Sequence, residues 1–252
     1  MRLEECLNKE KVIQDYELFI QGISELHMMQ KVAFSAFNRE LRILDEFSSS
    51  NTSNEIVRYD TLTYFDLNTG KNTPLISNET SLAKLKELTY INKNNQYCWL
   101  LATAFELFEV YINSVYCNDS QSRNKRDSLN KKLSFFSRSH ERIKQLEKDN
   151  VSGINLKVAI ITIEKLRHCI VHNQGVVIDT AQFISKVIED SGVNNNRCDH
   201  VEFISQFIVS KGISVAERAM ESNNSLPVYS EPFKHLLSYL VGYAKALKLE
   251  LC

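Results

Sequence analysis

Glycine and proline are scarce in this chain, with 7 and 3 in 252 residues. Sandwiches and barrels spend these residues on tight turns, so the shortage argues against them and toward long helices. Paired cysteines are also missing. Cys6, Cys98, Cys117, Cys169, Cys198 and Cys252 are scattered, without the Cys-x2-Cys spacing of a closed zinc site or the regularity of a disulfide framework. No charge of one sign dominates: the formal net charge is -1, so no global field draws the protein to nucleic acid or to an anionic membrane. No Gly-rich phosphate loop, His-Glu-x2-His or Gly-x-Ser-x-Gly signature occurs, which removes the usual marks of nucleotide hydrolysis and serine-hydrolase chemistry. The first residues, MRLEECLNKEKV, lack the apolar centre of a signal peptide. The most apolar window, 98–117, contains Glu106 and Glu109 and makes a poor membrane span. A cytoplasmic protein without a membrane partner is expected.

What is present suffices for a core, since hydrophobic residues make up 43% of the chain and charged residues 24%. Residues 3–47 carry Val12, Tyr16, Phe19, Ile20, Ile23, Val32, Phe34, Phe37, Leu41 and Leu44 at spacings of three and four, which predict one long helix or two consecutive ones. The run SSSNTSN at 48–54 should end it. Alternation in 56–67 followed by Asn68-Thr69-Gly70-Lys71 predicts an extended excursion or hairpin. A short helix is expected at 79–92, capped by Ser77 or Asn78. Residues 97–116 should form a central helix, with Glu106 either facing solvent or paired with a buried Arg. Residues 201–209, VEFISQFIV, have strand-like content, and 231–249 read as a closing amphipathic helix. No repeat or linker divides the chain. The expected fold is all-α with minor β excursions, as a single domain over 1–252: an N-terminal extension over 1–78, a bundle core over 79–190 and a C-terminal segment over 191–252.

One segment departs from neutrality. Residues 123–144 hold Arg123, Lys125, Arg126, Lys131, Lys132, Arg138, Arg142 and Lys144 against Asp127 and Glu141, a net of +6. This suits a surface that tracks nucleic-acid phosphates, with Phe135, Phe136 and His140 adding stacking. It equally suits a solvated helix face with the Phe pair in the core.

The segment 152–172 is predicted as a helix whose stripe of Leu156, Ala159, Ile160, Ile163, Leu166 and Ile170 also contains Arg167. A cation on an apolar stripe needs a carboxylate, a carbonyl or a bound anion. The other side carries Ile154, Val158 and Ile161 and then His168 and His172, which predicts burial on both sides, against the chain itself or a second subunit. Asn173-Gln174-Gly175 reads as the helix exit. His168 and His172 one turn apart, with Cys198 and His200 downstream, offer a weak zinc alternative.

The phrase LRHCIVHNQG at 166–175, preceded by Glu164 and followed by VVI, resembles the motif helix of the HEPN (higher eukaryote and prokaryote nucleotide-binding) superfamily. Arg167 matches the family Arg, His168 its polar follower and His172 the family His, while Asn173 and Gly175 look like the usual exit. Upstream, the apolar helix with Glu106 looks like the preceding core helix, so 97–190 is covered. The resemblance implies a helical bundle that dimerises along the motif helix. In active members it implies metal-independent, cofactor-free RNA cleavage, in toxin–antitoxin or antiphage systems, with an antitoxin or other regulatory protein as partner.

Such cleavage needs an acceptor for the 2′-OH proton, a donor for the leaving 5′-oxygen and positive charge on the phosphorane. His172 is assigned proton transfer, Arg167 charge, and His168, Asn173 and Glu106 support; a symmetric dimer would supply two His172. On one ideal helix Arg167 and His172 point about 140° apart, so they need the length of Arg or a dimer cleft to converge. The alternatives are a non-catalytic module of the same fold that binds RNA, nucleotide or protein, and a structural role, with Arg167 on Glu106 and His172 capping the helix.

Overall fold

The computed structural model describes residues 2–50, 56–118, 124, 126–220 and 228–252. Arg123 and Lys125 lie outside the described residues, as does part of the 48–54 run. The fold is all-α with short strands: α1 Arg2–Ser50, β1 Ile56–Asp66, β2 Lys71–Ser81, α2 Leu82–Asn118, α3 Leu129–Ser139, α4 Glu141–Lys148, α5 Leu156–His172, α6 Thr180–Ser191, α7 Arg197–Ser205, β3 Ile208–Val209, β4 Gly212–Ile213, β5 Arg218–Met220, β6 Val228–Ser230 and α8 Pro232–Leu251. It divides into two compact units, one formed by 1–30 with 95–252 and the other by 31–94. The boundaries fall within α1 and α2.

The smaller unit holds the second half of α1, the β1–β2 hairpin and the first turns of α2. Asp45 pairs with Lys86 at 2.7 Å, and Asn38 accepts from Lys93 at 2.9 Å. Asp66 fastens the hairpin turn, accepting from Asn68 N at 2.8 Å and Thr69 Oγ1 at 3.0 Å, and Gly70 supplies the left-handed φ of +66°. The strands run antiparallel through Ser81, so the expected helix start near 79 is corrected: Ser81, not Ser77 or Asn78, accepts from Lys84 N. No break separates this helix from the apolar one after it.

The larger unit is built around α2. Leu101, Phe105, Phe108 and Ile112 are buried on it, with Phe19 of α1 stacked on Tyr111 at 5.6 Å between ring centroids. Gly22 of α1 lets the two helices approach there: a Cβ in its place would lie 2.7 Å from Leu107 Cδ1, so the leucine side chain would have to shift. On α8, Tyr243 is fully buried and meets Phe108 edge-on, and Ala244 O accepts from Tyr111 Oη at 3.2 Å. α2 is long and apolar enough to cross a membrane by length and composition, and 56% of its most apolar window is buried within the fold.

Residues 201–209 are mainly helical, not extended. His200, Phe203, Ile204 and Phe207 are buried at steps of three, one and three, the period of a helix, and packing overrides the β-branched content. The β3–β4 turn places Ser210 and Lys211 at φ of +49° and +68°, both left-handed and neither glycine. A two-residue hairpin turn of this kind favours Asn-Gly. Replacing Ser210-Lys211 by Asn-Gly should therefore raise stability by about 1 kcal/mol, read as a higher midpoint in urea denaturation.

Candidate functional site

α5 starts cleanly because Asn155 caps it, its side chain accepting from Lys157 N at 3.0 Å. The predicted stripe of Leu156, Ala159, Ile160, Ile163, Leu166 and Ile170 is buried, and so are Val158 and Ile161 on the other side. Burial on that second side does not reach the C-terminal end. His168 and His172 are exposed in the chain, so the chain itself does not cover this end of the face. Their rings lie 4.7 Å apart between centroids.

Arg167 donates from Nη2 to Glu106 Oε1 at 2.9 Å, joining α5 to α2. The side chains are 27% and 54% exposed, so the pair sits at a rim and not in the core. Nε of Arg167 is buried without a hydrogen-bond partner. No hydrogen bond or ion pair links Arg167 to His172 among the described residues; the two motif residues are held by different neighbours.

Asn173 is the exposed C-cap. Gln174 and Gly175 follow at φ of +53° and +76°, and the N–H groups of Asn173 and Gly175 both close on Cys169 O, at 2.9 and 3.0 Å. The exit is clasped by β4 and its turn, with Ile213 N on Gly175 O at 2.9 Å and Val177 N on Lys211 O at 2.8 Å.

Beside the histidines lies a cleft of about 260 Å³, lined by Lys165, His168, Cys169, Asn173, Gln182 and Lys186 among others. Desolvation lowers the His168 pKa, and the positive charges of His172, Lys165, Arg167 and Lys186 lower it further. His168 is thereby favoured as the neutral base near pH 7. Burial raises the Cys169 pKa, which keeps that thiol protonated and a poor nucleophile. Lys165, bonded to Asp190 at 2.6 Å, and Lys186 were not singled out from the sequence. For Lys165 the signal existed: residues 165, 168, 169 and 172 share one helical face.

The basic segment divides. Lys132 is only 2% exposed and its ammonium is bonded to Asn113, so it leaves the proposed RNA surface. Its place on the stripe Leu129, Leu133 and Phe136 explains this. Phe136 is likewise fully buried, and Phe135 packs on Tyr116. Arg126, Lys131 and Arg138 stay at the surface, Lys131 bridged to Asp127 at 2.8 Å.

His200, part of the zinc alternative, is buried and its Nε2 accepts from Asn155 N at 3.3 Å. Among the described residues, no three His, Cys, Asp or Glu side chains are grouped to hold a metal ion. Desolvation lowers the His200 pKa below 6.5. The unfolded chain therefore binds more protons at this position between the folded value and 6.5, so its contribution to stability is lost as pH falls through that window. Urea melts at pH 7.5 and 5.5 should show a smaller pH-dependent loss in His200→Gln than in the parent chain.

No family model, curated protein or solved structure matches this chain.

Proposed function

We infer that this protein is a metal-independent endoribonuclease of the HEPN type, acting at the C-terminal end of α5. The observation that carries the reading is the exposed pair His168 and His172, one turn apart with rings 4.7 Å from each other, on the helix that also carries Arg167 at its rim. A neutral His168 takes the 2′-OH proton of RNA, His172 protonates the leaving 5′-oxygen, and the rim-facing end of the Arg167 guanidinium, exchanged from Glu106, meets the phosphorane. Two imidazoles on one helix supply both proton-transfer roles within one chain. Glu106 holds Arg167 at the rim until a phosphate competes for it, and Asn173 lines the approach.

A homodimer fits the same face. Trp99 and Val110, 57% and 69% exposed, lie on the α2 stripe that carries Glu106, and a second copy would cover them. Cytoplasmic action under the control of a regulatory protein, in toxin–antitoxin or antiphage defence, accords with such a nuclease.

The test is incubation of purified protein with single-stranded RNA in EDTA. Products ending in 2′,3′-cyclic phosphate or 3′-phosphate are expected. Salt-dependent RNA binding without any product would favour a non-catalytic module, a reading that the Arg167–Glu106 pair also accommodates.

A further inference from the structure

A second, larger cleft opens at the other end of α5. Its volume is about 810 Å³, within the range of about 300–1,000 Å³ common to small-molecule sites. Five cations line it: Lys131 and Arg138 from α3, Lys144 and Lys148 from α4, and Lys157 from the first turn of α5. Lys157 and His172 are separated by about 22 Å of helix, so this cleft is distinct from the histidine site.

Two of the cations are gathered on a single residue. Lys157 Nζ donates to Ser134 Oγ at 2.7 Å, and Arg138 Nε donates to Ser134 O at 3.0 Å. Like charges brought together from two helices repel, and a bridging anion is the ordinary relief. Burial lowers the Lys157 pKa, Glu147 opposes this, and Arg138 adds to it. Asp127 and Glu141 offset Lys131 and Lys144 locally. Among the described residues the carboxylate lining the cleft is Glu147, 6% exposed and engaged by Ser137 Oγ at 2.6 Å and Tyr243 Oη at 3.4 Å; its charge acts on Lys157 and Lys148 and offsets part of the positive charge, against five cations. Among the described residues no aromatic ring lines the cleft, so none of them offers the stacking platform that base recognition uses. The remaining wall, from Gly192 to Asn195, is polar apart from Val193.

We propose that this cleft binds a compact oligophosphate, a soluble molecule carrying two or more clustered phosphate groups, through Arg138, Lys157 and Lys148, and recognises the phosphates rather than a base. Four converging elements suit a short, dense polyanion better than a polymer backbone, which would use a stripe.

Titration calorimetry of the full chain with sodium tripolyphosphate, at 50 and 200 mM NaCl without divalent metal, tests this. Saturable binding is expected, at least tenfold tighter than for inorganic phosphate and weaker at the higher salt. Arg138→Gln, a surface change, and Lys157→Gln should each weaken it at least tenfold, while Lys234→Gln, an exposed cation of α8 outside the cleft lining, leaves it within twofold. Thermal melting confirms that the variants fold. Absence of saturable binding to 5 mM, equal affinity for phosphate, or equal loss in Lys234→Gln overturns the proposal. So does a 5′-hydroxyl oligoribonucleotide that displaces tripolyphosphate at lower concentration, which would assign the cleft to an RNA backbone.

Discussion

His172→Ala should lower RNA cleavage in EDTA by about two to four orders of magnitude, the contribution of a positioned proton-transfer group. The fold should survive. His172 is exposed at the last turn of α5, where a histidine contributes about 0.3–1 kcal/mol through the helix dipole, so the melting temperature should move by a few degrees at most. Quantified product formation under single-turnover conditions, paired with thermal melting, separates the two effects. Cleavage within threefold of the parent chain would remove His172 from the chemistry. A parallel loss of activity and fold would show only that α5 had come apart.

The largest effect on stability is expected at Phe108. Its ring is fully buried on α2 and meets Phe19 of α1, Phe105 on its own helix and Tyr243 of α8, so it joins three helices at one point. Truncation to Ala removes that burial and leaves a cavity between helices too long to close over it, costing about 3–5 kcal/mol. Urea denaturation should show the midpoint falling by an amount that takes a large share of the total stability of an ordinary domain, about 5–15 kcal/mol. Phe108→Leu, which keeps most of the apolar volume, should recover much of the loss. An unchanged midpoint in Phe108→Ala would mean that the α1–α2–α8 junction is not where the larger unit is held together.

How far the sequence led depended on whether residues were read by face or by segment. α5 was legible because its stripe was laid out at helical spacing, and both its C-terminus and the Arg167–Glu106 option emerged from that reading. Lys132 was misplaced because charges between 123 and 144 were counted along the chain. On the helix it shares the buried side with Leu129, Leu133 and Phe136, where Asn113 meets its ammonium. The polar run from Asn92 to Gln96 looked like an interruption, yet α2 passes through it without a break, supported by contacts such as Lys93 with Asn38. The β-branched and aromatic content of 201–209 points to a strand, yet the buried positions from His200 to Phe207 have the period of a helix. The exposure of His168 and His172 had no local signal, because the face they share with Ile161 is buried only as far as neighbouring elements cover it. The cleft at Lys157 was beyond reach for a related reason: its cations lie on three helices, and only packing brings Lys157 of α5 to Ser134 of α3, which Arg138 already meets on its own helix.

The clasp of Gly175 and Val177 by Lys211 and Ile213 also sets a schedule. During synthesis, α5 leaves the ribosome long before the hairpin that fixes its exit, and the intervening 35 or so residues take a few seconds to add at about 5–20 residues per second. Until then, the turn beyond His172 lacks its anchor. If the histidine pair cuts RNA, a nascent chain on its own messenger carries no fully ordered site until that hairpin has been added.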